Sequence, residues 1–158
     1  MPKYRNLTLS ELDQLEGVFI KYLAANGISA EYWQKLKDSD DDRIKNYISD
    51  FSDMIFDSAI ENTDLLELRN KHSLNLFKII DNTIVFRRIE IIGDENFDFS
   101  QEFNISDLMS MIVNNPHNLN IYRGKKEFKE DINFEIFKLI ESGYKISRNT
   151  ELWDILKD

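Results

Sequence analysis

The chain has 158 residues and a formal net charge of −9, and its hydrophobic fraction of 42% separates it from intrinsically disordered sequences. This length suffices for one hydrophobic core, so the sequence predicts a single domain over residues 1–158. The absence of Cys excludes disulfides, thiolate metal sites and thiol nucleophiles. An isoelectric point near 4.8 argues against binding to nucleic acid or to anionic lipid, and it favours either a protein partner with a basic surface or simply solubility.

The first residues, 1–6, contain no apolar stretch of the kind found in signal peptides. No later part of the chain contains about 18 consecutive apolar residues, the length that a membrane-spanning helix needs. The sequence therefore predicts a cytoplasmic protein that does not span a membrane.

Two helices are predicted near the start of the chain. Thr8 and Glu11 have the spacing of a capping box, and apolar residues recur at helical intervals until Gly27. This pattern predicts a helix over 9–25. A shorter helix is expected over 30–37.

An acidic helix is expected next, from about Asp41 to Asn62, with carboxylates in its first turn. It lies within the segment 38–67, which contains ten acidic residues but only two basic ones. At about 100° per residue, five of the acids fall within about 80° of one another. They are Asp50, Asp53, Asp57, Glu61 and Asp64. Beside them lies an apolar arc of Ile44, Tyr47, Ile48, Phe51, Ile55 and Ala59. The pattern predicts one core flank and one negative flank, and the negative flank is the leading candidate for a partner-binding surface.

Phe56 and Ile60 lie off the apolar arc of this helix. They either contact a second layer of the fold or face a partner. We include both among the candidate partner-binding residues.

From Leu65 the spacing of apolar residues changes from helical to alternating, and β-branched and aromatic residues dominate. Three strands fit this region, and Asp81-Asn82 is suited to a tight hairpin between the last two. The predicted strands are 64–69, 74–80 and 83–92, with a fourth over 118–122. The fold class is therefore predicted as α+β, with N-terminal helices, a small antiparallel meander of three to four strands and C-terminal helices.

The remaining part of the chain is predicted to contain one loop and three helices. The polar, acidic segment 93–107 is expected to be a mobile loop. Ser106 is expected to cap a short helix that ends before Pro116. A longer helix is predicted over about 127–142, with Phe128 on its apolar side, and Thr150 is expected to cap a terminal helix.

Short motifs are distributed over almost the whole chain. They comprise Lys3-Tyr4-Arg5, Leu7-Thr8, Glu11-Leu12, Asn26-Gly27-Ile28, Trp33, Lys35-Leu36, Phe51-Ser52-Asp53, Leu66-Glu67, Arg69, Phe137, Leu139-Ile140-Glu141 and Gly143. In order and spacing they resemble a family of unknown function from Bacteroidetes. The resemblance implies a small, single-domain cytoplasmic protein, and it implies no activity, cofactor or site residue.

Catalytic and metal-binding patterns are weak throughout. Asp38 to Asp42 offers oxygen ligands as a calcium loop does, but Arg43 stands where that loop needs Gly and Ser49 where it needs Glu. His72 and His117 have no neighbouring ligands at metal-binding spacing. We predict no catalytic residue, no metal site and no cofactor.

The stretch 122–129 is the one locally basic segment, and aromatic residues alternate with its cations. Such a pattern also occurs in nucleic-acid contacts. A solvated face, or an intramolecular partner for the acidic helix, explains four cations beside a helix start more simply.

The leading hypothesis is a non-catalytic binding or accessory protein that engages a basic partner through the acidic helix flank and the acidic loop 94–107. One alternative is an inhibitor that mimics nucleic acid, because carboxylates one helical turn apart imitate phosphates. The other is a small enzyme with a site between sheet and helices, which would use His72, Arg69, Arg87, Arg88 or a carboxylate. The sequence leaves the oligomeric state open.

Overall fold

The computed structural model describes residues 1–93 and 97–156, and it has the α+β architecture expected from the sequence. The chain groups into two compact units, unit 1 (Met1–Glu61) and unit 2 (Asn62–Asp158). Unit 1 is helical, and unit 2 contains the β-sheet and further helices. The single domain expected from length stays a prediction.

Unit 1 contains four α-helices within its described residues. They are α1 (Leu9–Gln14), α2 (Glu16–Ala25), α3 (Ala30–Asp38) and α4 (Arg43–Glu61). The helix expected over 9–25 is divided at Leu15, whose backbone angles are φ −103° and ψ 16°. The predicted capping box is confirmed, because the Glu11 amide donates to Thr8 Oγ1 (3.2 Å) and the Thr8 amide donates to Glu11 Oε1 (2.9 Å).

The start of α4 differs from the prediction. The helix begins at Arg43 and has no acid in its first turn. Asp41 instead precedes it and accepts a hydrogen bond from the Arg43 amide at 2.9 Å. Asp40 has a positive φ of 50°, so the chain turns sharply before the helix starts.

Aromatic rings cluster around Phe51 in the core of unit 1. Phe51 on α4 is fully buried, and its ring centroid lies 4.8 Å from that of Phe19 and 5.3 Å from that of Tyr22. Trp33 on α3 packs edge-on against Phe19 at 5.3 Å. The apolar arc predicted for the acidic helix therefore faces this core.

Five strands form one antiparallel sheet in unit 2, in the order β4-β3-β2-β1-β5. They are β1 (Leu65–Arg69), β2 (Ser73–Ile80), β3 (Thr83–Ile91), β4 (Leu119–Glu127) and β5 (Lys145–Ile146). The prediction of three to four strands was therefore too low. The additional strand, β5, has only two residues, so an alternating pattern has no room to appear in it. The hairpin at Asp81-Asn82 is present, and Asp81 has a positive φ of 53°.

Strand β4 is longer than expected and includes most of the basic stretch. It pairs with β3 along its whole length, from Leu119 opposite Ile91 to Glu127 opposite Thr83. The following helix therefore begins at Ile132 rather than near residue 127, so Phe128 precedes it.

Three α-helices complete the described part of unit 2. They are α5 (Ile105–Asn114), α6 (Ile132–Glu141) and α7 (Thr150–Leu156). A short 3-10 turn, Pro116–Asn118, separates α5 from β4. Asn104 rather than Ser106 caps α5, and Asn149 rather than Thr150 accepts a hydrogen bond from the first turn of α7. In both cases an Asn one or two residues earlier provides the cap, because its side-chain oxygen reaches the free amides.

The sheet has two faces, which we call the core face and the opposite face. The core face contains Leu74, Leu76 and Ile89, which pack with residues of α5 and α7 such as Leu108 and Leu152. On the opposite face, alternation places Asn75, Phe77, Phe86 and Arg88. Tyr144, which follows α6, packs on Phe77 with ring centroids 5.0 Å apart.

The acidic segment expected to be a mobile loop is anchored where it is described. Phe99 is fully buried in the core of unit 2, and its amide donates to the carbonyl of Lys71 at 3.1 Å. Phe97 and Phe103 pack against the Phe99 ring at 5.0 Å and 5.6 Å. Residues 94–96 of the predicted loop lie outside the described residues.

Candidate protein-binding surface

The acids predicted to form one negative flank occupy different environments. Asp50 and Glu61 on α4 are exposed, whereas Asp53 and Asp57 are half-buried. Asp64 lies beyond the end of α4, where the helical spacing that grouped it with the others no longer applies. The flank of α4 is therefore defined by Asp50, Asp53, Asp57 and Glu61.

The N-terminal segment (residues 2–7) lies along this flank. The Lys3 amide donates to both carboxylate oxygens of Asp53, at 2.8 and 2.9 Å. The Lys3 ammonium lies 3.2 Å from Asp57 Oδ1, and the Tyr4 hydroxyl donates to the same oxygen at 2.6 Å. Two of the four carboxylates therefore bind a cationic segment of the same chain.

These contacts alter the proton affinity of the groups involved. The hydrogen bond from Tyr4, with a smaller contribution from Lys3, lowers the pKa of Asp57 despite partial burial. Burial, followed by the hydrogen bond to Asp57, raises the pKa of Tyr4 to about 12. Asp57 is therefore an anion and Tyr4 a neutral donor at neutral pH.

The N-terminal segment also covers Phe56, one of the two apolar residues that lie off the predicted arc. The Phe56 ring packs edge-on against Tyr4, with centroids 5.9 Å apart, and the Arg5 guanidinium lies 4.9 Å from its centroid. The Leu7 amide donates to the buried Ser52 Oγ at 2.9 Å, which fixes the end of the segment on α4. Ile60 is only 2% exposed, so its side chain is not available to a partner. Phe56 thus contacts a second layer of the fold, and Ile60 is buried.

A second surface of unit 1 is an apolar groove of about 530 Å³ between its helices. Leu12, Phe19, Trp33 and Ile44 are among the residues that line it, and Ile20 projects there with 53% of its surface exposed. Asp13 and Glu16 also line the groove, together with Lys37 from α3. The α4 residues of this groove belong to the apolar arc, so the groove and the acidic flank use different sides of α4.

The acidic loop of the leading hypothesis belongs to unit 2. In its described part, Asp98 accepts hydrogen bonds from the Ser100 amide at 2.8 Å and from the Ser100 hydroxyl at 2.5 Å. These bonds lower the pKa of Asp98. Glu102 and Asp107 are exposed. Asp98 is thus engaged in a local turn, and two exposed carboxylates remain in the described part of this segment.

The residues proposed for an enzyme do not converge. Arg87 lies on the core face, where its Nε donates to the carbonyl of Leu156 at 3.1 Å and its guanidinium lies 5.4 Å from the Trp153 centroid. Arg88 lies on the opposite face and donates to Asn75 at 3.0 Å and Glu90 at 3.1 Å. Arg69 shares the core face with Arg87, and His72 is exposed. Neighbouring residues of a strand face opposite sides, a signal that was available in the sequence.

Two features are absent from residues 1–93 and 97–156. No three His, Asp or Glu side chains among them come together in a way that could hold a metal ion. None of the helices there is long and apolar enough to cross a membrane.

The geometry defines a small α+β protein whose helical unit carries an acidic flank and an apolar groove. The chain belongs to DUF6495, a family of unknown function whose match covers residues 1–158. No match was found among curated proteins or among solved structures.

Proposed function

We propose that this protein is a non-catalytic binding or accessory protein that engages a basic protein partner through the acidic flank of α4. One observation carries the proposal: the flank already binds a cationic segment of its own chain, because Asp53 and Asp57 hold the amide, ammonium and hydroxyl groups of Lys3 and Tyr4. A partner that presents Lys or Arg would meet the same chemistry at Asp50 and Glu61. The acidic segment 94–107, with its exposed Glu102 and Asp107, is the second negative element of this proposal.

Several carboxylates are needed for such binding. An exposed ion pair contributes only about 0.2–1 kcal/mol, so one pair cannot hold a partner. The attractions of several like charges on one helix flank add together, and they also raise the rate of association with an oppositely charged surface. The proposal therefore predicts an interaction that weakens as salt screens the charges.

The test is affinity purification of the tagged protein from its native cells at low and at moderate salt. The wild type is compared with Asp50→Lys/Glu61→Lys, which reverses the two exposed acids of the flank. The control is Glu31→Lys/Glu130→Lys, which makes the same change in net charge at two exposed acids elsewhere. Thermal unfolding establishes that all three proteins are folded.

We expect a stoichiometric basic protein with the wild type and the control, and its loss with the flank variant or at moderate salt. Purified partner then allows the dissociation constant of each variant to be measured. Equal affinity of the flank variant and the control would contradict the role of α4. The same experiment tests nucleic-acid mimicry: in that case the partner would bind duplex DNA or RNA, and the nucleic acid would compete with this protein for it.

The resemblance to a Bacteroidetes family supports two additional proposals, a source in that bacterial group and a cytoplasmic location. Fractionation of the native cells, followed by immunoblotting of the soluble and membrane fractions, tests the location.

A further inference from the structure

The basic stretch 122–129 borders a cavity that the binding proposal does not use. This stretch forms most of β4, and strand pairing places Gly124 opposite Phe86 and Lys126 opposite Ile84. These residues line a cavity of about 320 Å³ in unit 2 on the opposite face of the sheet. The volume lies at the lower end of the range of about 300–1,000 Å³ that is typical of small-molecule sites.

Aromatic rings line this cavity because one strand position has no side chain. Phe77 and Phe86 pack together with centroids 5.0 Å apart, and Phe128 and Leu139 provide further apolar surface. A Cβ atom added at Gly124 would lie 3.9 Å from Phe86 Cδ1, at ordinary contact distance. Gly124 therefore leaves the Phe86 ring uncovered where any other residue would pack on it.

One cation faces the cavity. The side chain of Lys126 lies on the same face of β4 as Gly124, and the Lys126 ammonium lies 5.1 Å from the centroid of Phe128. The acidic residue in the lining is Glu135, and it is paired with Lys138 at 2.8 Å. The charge of Glu135 is thus largely offset, whereas Lys126 stands beside the apolar surface without such a pair among the described residues.

We propose that this cavity binds a small amphipathic anion, with an apolar or aromatic body against Phe77 and Phe86 and a terminal carboxylate at Lys126. Burial of the apolar body favours binding because it removes apolar surface from water, and the carboxylate forms a charge-assisted hydrogen bond with the ammonium. The small, ring-lined volume favours a single compact ligand over an extended polyanion. This site is in unit 2 and does not depend on the proposed partner of α4.

The test is isothermal titration calorimetry of the full chain with decanoate, below its micelle-forming concentration. Gly124→Val fills the space over Phe86, and it suits a strand because Val is a good β-former and Gly124 has no left-handed backbone requirement. Lys126→Gln removes the cation. Lys129→Gln is the matched control, because Lys129 is an exposed cation of the same stretch outside the cavity lining.

We expect saturable 1:1 binding of decanoate, weaker by about tenfold or more for Gly124→Val, which corresponds to about 1.4 kcal/mol. Lys126→Gln should weaken decanoate but leave binding of the uncharged decanol unchanged, and Lys129→Gln should bind both as the wild type does. Gly124→Ala, a smaller change, should give an intermediate affinity and guards against a folding defect in Gly124→Val.

In the calorimetry, three results would overturn the proposal. They are no saturable binding by the wild type, wild-type affinity in the folded Gly124→Val protein, or equal losses for Lys126→Gln and Lys129→Gln. Amide shift changes in an NMR titration locate the ligand independently. Changes around Phe77, Phe86 and Lys126 would support the site, and changes confined to other parts of the chain would refute it.

Discussion

Unit 1 and unit 2 separate charged from apolar surface by different means. In α4 the acids and the core residues lie on two sides of one helix, so helical spacing alone distinguishes Asp50 from Phe51. In the sheet, Arg87 and Arg88 are adjacent in sequence but lie on opposite faces. Arg87 donates a hydrogen bond to α7, at a residue 69 positions away in the chain, and Arg88 donates one to β2, at a residue 13 positions away. Charge on a helix flank is therefore visible in the sequence, whereas the environment of a charge on a sheet depends on what covers each face.

The largest expected effects on stability come from substitutions in the buried centres of the two units. Phe51→Ala in unit 1 and Phe99→Ala in unit 2 each remove a fully buried ring. Each should lower the free energy of unfolding by about 3–5 kcal/mol, because the lost contacts leave a cavity. Differential scanning calorimetry of both variants gives the measurement.

The same calorimetry tests the single domain expected from length. One shared transition, lowered by both variants, would establish that the chain unfolds cooperatively. Two transitions, each moved by one variant only, would show that the units unfold independently and that the prediction is wrong.

The next effect concerns the contact between the N-terminal segment and α4. Ser52→Ala removes the acceptor of the Leu7 amide, and both residues are buried. An unsatisfied buried amide should cost about 1–3 kcal/mol of unfolding free energy in urea titrations. Ser110→Ala, at an exposed site of α5, serves as the control and should change stability little. Equal results for the two variants would mean that the segment does not stay on α4 in solution.

The capping box should make stability depend on pH. The hydrogen bond from Arg5, followed by that from the Thr8 amide, lowers the pKa of Glu11 to about 2. Ionised Glu11 therefore stabilises the fold above its ordinary pKa of about 4.3, and this contribution is lost as pH falls toward 2. Glu11→Gln should cost about 1 kcal/mol at pH 7 and reduce the fall in melting temperature between pH 5 and pH 2.5. Identical pH profiles for the wild type and the variant would contradict this role.

The smallest effect on stability is expected at the exposed end of the acidic flank. Asp50→Lys should change unfolding free energy by less than about 0.5 kcal/mol, because the side chain is exposed. Asp57→Asn should cost more, since its carboxylate accepts from Tyr4 and Lys3. Chemical denaturation of both variants measures the difference. A larger loss for Asp50→Lys would show that Asp50 has a structural role, and it would weaken the assignment of this residue to partner binding.

Much of the fold could be predicted because its signals are local. The capping box at Thr8 and Glu11, the hairpin at Asp81-Asn82 and the α+β order depend on residues close together in the chain. The division of the first helix at Leu15 could not be predicted, because the apolar spacing continues through that residue. Strand β5 was missed because two residues show no period.

The candidate surface was predictable only in part, and Phe56 shows why. Its position on the helix marked it as lying off the apolar arc, but spacing within α4 contains no information about residues 2–7 that cover it. The secondary structure at the end of the basic stretch was also mispredicted, because it depends on residues distant in the chain. A helix was predicted to start near residue 127, but this part of the chain pairs with β3 and forms the end of β4.

The sequence by itself determined the acidic flank of α4, the cap of α1, the hairpin and the class of fold, because each follows from backbone geometry over a few residues. Only the tertiary structure decided that Lys3 and Tyr4 donate hydrogen bonds to the carboxylates of Asp53 and Asp57. It also decided that Ile60 is buried and that Gly124 leaves a cavity over Phe86. Those outcomes join residues that are distant in the chain, and their contacts depend on how the elements pack rather than on any local period.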